Sequence, residues 1–219
     1  MPNSPLRQLK ETDFLAKGSE RHVFTLDDSG RVLVKVMRSK YLRKIRMVDD
    51  RSFFGWLKIR RAYALFRREQ KALSDVMLRA AIREDMPPVL SFRGYILTEK
   101  GLGQLVETIR DADGKVAPSL SEQLQAGPLT PSQIDALNEF ASRIYDWHVV
   151  AHDLGPKNIV WNAEDGRYIL VDGFGDRSII PLKTWNRRLN NRRLDRAFRE
   201  MAETSGLDWD RAERRFRHG

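Results

Sequence analysis

Between His152 and Asp176 the chain reads HDLGPKNIVWNAEDGRYILVDGFGD, and this stretch constrains the fold more than any other. Ile159-Val160-Trp161 and the run Arg167 to Val171 favour β-structure. Between them, Asn162-Ala163-Glu164-Asp165-Gly166 ends in an Asp-Gly pair suited to positive φ. The pattern predicts a hairpin. A hairpin returns the chain to its starting point, so Asp153 and Asn158 before the first strand should converge with Asp172 after the second. Oxygen-bearing side chains meeting at one end of a hairpin suit a hard cation. Asp and Asn are also ordinary turn formers, and spacing alone leaves both readings open.

The rest of the chain is long enough, at 219 residues, for one good core or two small lobes. No run approaches the roughly 20 apolar residues of a membrane helix, and the start MPNSPLRQLKETDF carries no apolar signal segment. A cytoplasmic protein is expected. Absence of cysteine removes disulfides, thiolate metal sites and cysteine nucleophiles, and the scattered His22, His148, His152 and His218 do not predict a zinc centre. The net charge of +9 is concentrated in two places. Arg38 to Lys71 holds twelve Lys or Arg against three acids, and Lys183 to the end holds eleven against six. Such faces attract phosphate-bearing partners, including anionic lipid headgroups, and also serve as ordinary solvated helix faces. No nucleic-acid-binding motif accompanies them.

Read in order, Phe14-Leu15, Val23 to Leu26 and Val32 to Val36 are expected as strands, with Gly18 between the first two and Asp27-Asp28-Ser29-Gly30 as a tight turn. Arg51 to Arg79 carries Phe53, Trp56, Leu57, Ile59, Tyr63, Phe66, Leu73 and Met77 at helical intervals and is expected as one long helix. Further strands are predicted over Val89 to Phe92, Tyr95 to Thr98 and Gln104 to Ile109. Asp111 to Pro128 has linker composition. Thr130-Pro131-Ser132-Gln133 is a helix start with a capping box, opening a face of Ile134, Leu137, Ala141, Ile144 and His148. The tail is expected to be helical and Arg-rich, with Leu189, Leu194, Phe198 and Met201 as its apolar stripe. The architecture is α+β and two-lobed: a strand-rich half with one long helix over 1–110, and a reduced helical half with the hairpin and a basic tail over 111–219.

On these residues a resemblance becomes specific. His152-Asp153-Leu154 followed by Asn158 resembles the catalytic loop of the protein-kinase-like superfamily, and the hairpin with Asp172 on its return resembles that superfamily's metal-binding segment. Val34-Lys35-Val36 resembles the strand lysine, Glu69 in FRREQKAL its helix partner, and Ala16-x-Gly18-x-x-Arg21-x-Val23 the phosphate-covering loop. Within the superfamily the chain is similar to the small bacterial YrbL type, linked by name to the PhoP regulatory network, through GSERHVF, IRDADGK, DLGPKNIVW and VDGFGD.

The resemblance implies a compact bilobal kinase-like fold and an ATP- and Mg²⁺-dependent transfer of the γ-phosphate to a hydroxyl acceptor, with an anionic acceptor suited to the basic faces. It assigns Asp153 as base, Asn158 and Asp172 as metal ligands, Lys35 to the phosphates and Glu69 to orienting Lys35. Gly18 and Val23 would cover the nucleotide, with Glu107, Thr108 and Ile109 along the adenine edge. Two other readings follow: a catalytically weak nucleotide-binding regulator, and a small-molecule or lipopolysaccharide-core sugar kinase. The chain departs from the pattern in lacking the Arg before Asp153, in keeping one loop glycine, and in placing an extra Gly173 between Asp172 and Phe174.

Overall fold

A computed structural model describes residues 6–18, 20–26, 29–43, 45, 47–175 and 186–218. Parts of the expected features lie outside them: Ser19, Asp27, Asp28, Asp176 and Lys183. The fold is α+β and divides into two compact units, one of residues 1–67 and 91–108, the other of residues 68–90 and 109–219.

The first unit is built on a five-stranded antiparallel sheet. Its strands are β1 (Phe14–Lys17), β2 (Arg21–Thr25), β3 (Val32–Met37), β4 (Phe92–Thr98) and β5 (Gly101–Glu107), in the order β1-β2-β3-β5-β4. Alternation along β3 sets what each face holds. Val34 and Val36 are buried with Leu9 and Phe24 on one side. Lys35 and Met37 occupy the other, where Met37 joins Leu65 and Phe66. Gly101, at φ 97°, turns β4 into β5, and the Thr98 hydroxyl donates to its carbonyl. Two helices follow β3: α1 (Ser39–Leu42) and α2 (Phe53–Ala62).

The second unit takes most of α3 (Ala64–Arg83), then α4 (Leu120–Ala126), α5 (Pro131–Asp146), the hairpin β6 (Ile159–Asn162) and β7 (Arg167–Leu170), α6 (Arg187–Ser205), and a second hairpin, β8 (Leu207–Asp210) and β9 (Arg215–His218). The Thr130 capping box forms with Gln133, and Ile134, Leu137, Ala141 and Ile144 are buried as their spacing predicts. With Phe140 and Tyr145 they line the core side of α5. Phe198 on α6 stacks on Trp209 and meets Phe216 edge-on, so the terminal hairpin closes this core.

Several expected elements differ. The helix over Arg51 to Arg79 is two helices broken at Tyr63, whose hydroxyl accepts the Leu102 N–H at 3.1 Å. Val89 to Phe92 and Tyr95 to Thr98 are not two strands: β4 runs through Gly94 at φ 133°, while Val89 bridges Leu170. The linker composition hides α4, whose capping box joins Ser119 to Glu122 and whose Leu120 is fully buried. His148 lies beyond the end of α5 at φ 49°, Leu189 is exposed, and the tail ends in strands.

Candidate functional site

The hairpin forms with Ile159 opposite Leu170 and Asn162 opposite Arg167, and Gly166 takes φ 62° in its turn. Pairing continues below it. The Val171 N–H donates to the Asn158 carbonyl at 2.8 Å, which sets Asn158 beside the chain as it enters Asp172. The segment before the hairpin then runs antiparallel to the segment after it. His152 and Asp153 both donate their N–H groups to the Gly173 carbonyl, at 2.8 and 3.1 Å, Ala151 bridges Phe174, and the Gly175 N–H donates to Val150 at 2.6 Å. Asp153, Asn158 and Asp172 are thus gathered by backbone hydrogen bonds within one unit.

The floor of this site is anchored from α6. Asn190, itself buried, donates its amide to the Val149 carbonyl at 3.0 Å, and Arg193 donates to the His152 carbonyl at 2.9 Å. His152 Nδ1 lies 3.3 Å from the Gly175 carbonyl, a structural contact rather than an exposed base. Gly175, at φ 97°, lies against α3: a Cβ there would come within 3.2 Å of the Arg68 carbonyl and 3.6 Å of the Glu69 nitrogen. Gly175 therefore meets the turn of α3 that carries Glu69, a carboxylate only 2% exposed.

Side-chain chemistry divides among the three residues. Asp153 keeps 43% of its side chain exposed and pairs with Lys157 at 3.3 Å, a surface contact of small energy. The Asn158 amide nitrogen donates to the Asp153 carbonyl at 3.0 Å, so its oxygen is the atom turned elsewhere. One Asp172 oxygen accepts the Gly173 N–H at 2.6 Å. Among the described residues no group of three His, Cys, Asp or Glu side chains gathers as a metal cage. A carboxylate and an amide oxygen form a smaller set, suited to a hard cation that retains much of its water.

In the first unit Lys35 is 8% exposed, and the register sets it between Val23 and Gln104. Arg21 and Gln104 share this face and are buried too, with Arg21 donating to the Gln104 amide oxygen at 3.4 Å. The sequence pattern assigns no role to Arg21 or to Gln104 beyond its place in an expected strand, yet a count of two from Val23 places Arg21 on the face of Lys35. Gly18 donates its N–H to Arg21 in the turn between β1 and β2. Glu107 pairs with Arg93 at 2.8 Å, the Thr108 N–H is taken by the Arg31 carbonyl, and the Ile109 carbonyl by Ala117. These bonds use part of the backbone expected along an adenine edge.

No curated protein matches the chain. A family model does, across residues 8–206, which spans both units and every residue of the site. By that match the chain belongs to the family described as PhoP regulatory network protein YrbL.

Proposed function

We propose that this protein is an atypical kinase-like phosphotransferase that moves the γ-phosphate of ATP to a hydroxyl acceptor. What carries the reading is the gathering of Asp153, Asn158 and Asp172 by the paired segments around the hairpin. Phosphoryl transfer asks for alignment and charge neutralisation more than for covalent help. The acceptor oxygen bonds to the γ-phosphorus as the bond to the β,γ-bridging oxygen breaks; ADP leaves, and the acceptor proton passes to the Asp153 carboxylate. Asp172 and Asn158 would hold Mg²⁺, which would supply charge neutralisation at the nucleotide phosphates. Lys35 and Glu69 are both buried, each within its own unit.

The test is turnover with a thermal-shift control. ATP with magnesium should raise the melting temperature, and phosphate release or autophosphorylation should fall by about 10²-fold or more in Asp153→Asn. No shift at millimolar ATP and magnesium sinks the proposal. A shift without turnover, or turnover indifferent to Asp153→Asn, favours a nucleotide-binding regulator, the reading suggested by the regulatory network in the family's description.

A further inference from the structure

Helix α2 is mounted with its apolar side outward. Phe53 and Phe54 are 73% and 75% exposed, Trp56 and Leu57 are exposed beside them, and Gly55 is its buried residue. The mounting is specific. Ser52 caps the helix by accepting the Gly55 N–H at 3.0 Å and donates its hydroxyl to the Asp49 carbonyl at 2.9 Å. A Cβ at Gly55 would overlap that same carbonyl, so glycine lets the helix lie flat on the preceding loop. At 100° per residue, Phe53, Leu57, Phe54 and Trp56 fan across the side opposite Gly55, with Arg60 and Arg61 among them. Large apolar residues presented to water in this way mark an interaction surface.

We propose that α2 docks this protein onto an anionic lipid bilayer. The helix carries Lys58, Arg60 and Arg61 and no acidic residue, which complements anionic headgroups. Long basic side chains lay their stems along the apolar surface and keep their charge among headgroups, and Trp and Phe enter the boundary beneath. Ten residues span about 15 Å, so α2 lies in the interface plane. Among the described residues no helix is long and apolar enough to cross a membrane. A second copy of the same face is a poorer occupant, because it would set three like charges against three. The proposal stands independently of catalysis.

The experiment is flotation of the full chain with vesicles of phosphatidylcholine alone or with about 30% phosphatidylglycerol. The protein should float with the anionic vesicles, and added salt should weaken the association. Phe53→Ser/Phe54→Ser and Arg60→Glu/Arg61→Glu should each lower the partition coefficient by ~10-fold or more, with melting temperature unchanged because these side chains are exposed. Absence of flotation with anionic vesicles overturns the proposal, as does flotation equal to wild type in both variants. A dimer or nucleic-acid complex that the same substitutions dissolve, without flotation, also overturns it and assigns the face to that partner.

Discussion

Gly173 lies against the backbone of Asp153 so closely that a Cβ on Gly173 would overlap the Asp153 carbonyl oxygen. Its own carbonyl accepts the Asp153 N–H at 3.1 Å. The additional glycine after Asp172 is therefore a condition of the loop-to-segment pairing. Its φ of 79° adds a second reason for glycine there.

Gly173→Ala should accordingly cost at least about 2 kcal/mol, since it meets both the conformational penalty and a backbone atom that cannot swing aside. Gly166 is the control. It also has positive φ, at 62°, but nothing lies within 4 Å of a Cβ there. Gly166→Ala should cost only about 1 kcal/mol. Urea denaturation of the two variants reads the difference, and equal costs would refute the argument from close approach.

Asn158 reports on the site in a different way. Its amide nitrogen bonds to the Asp153 carbonyl, and the residue is buried. Asn158→Asp keeps an oxygen for a cation but replaces the donor with an acceptor facing another acceptor. The expected loss is about 1–3 kcal/mol without magnesium. Lys157→Ala, which removes only an exposed partner of Asp153, should stay within about 1 kcal/mol of wild type. Denaturation midpoints of the two variants rank them, and a larger loss in Lys157→Ala would reverse the assignment.

The hairpin and the start of α5 were readable because their signals are local: an Asp-Gly turn between β-favouring runs, and Thr130 three residues before Gln133. The Ser119 and Glu122 box is equally local, yet the Gly, Pro and Ser around it masked α4. Other features had no local signal. Tyr63, where the helix breaks, leaves helical geometry at φ −103° and ψ 20° and accepts the Leu102 N–H on its hydroxyl, and Gly173 answers to the backbone of Asp153. Apolar periodicity predicts helix across α2 only as part of one long helix over Arg51 to Arg79, and does not say which way its aromatic side turns. That was decided by Gly55 against Asp49.

Glu122 makes α4 sensitive to acid. The Ser119 hydroxyl, then the Ser119 backbone N–H, hold its carboxyl below the ordinary value. A depressed folded-state pKa gives stability that is present above the unfolded value and lost as pH falls through the folded one. Glu122→Gln should therefore flatten part of the acid limb of a stability–pH curve. An acid limb identical to wild type would show that the capping box contributes nothing there.

The alkaline limb has the opposite origin. Burial pushes the Tyr168 hydroxyl up to about 12, and it donates to the Gln123 amide oxygen at 2.8 Å. Burial, with the Asp195 carboxylate that accepts its hydrogen bond at 2.6 Å, raises Tyr145 as well. An unfolded tyrosine loses its proton near pH 10, while the folded Tyr168 keeps it until about 12. Between those values the native state binds more protons than the unfolded state, so stability falls as pH rises. Tyr168→Phe should remove up to about 1.4 kcal/mol per pH unit of that slope. It should also cost about 1 kcal/mol at neutral pH through the lost hydrogen bond. Denaturant titrations between about pH 8 and pH 11 separate the two effects. A slope unchanged in Tyr168→Phe would mean that the buried hydroxyl does not govern the alkaline limb.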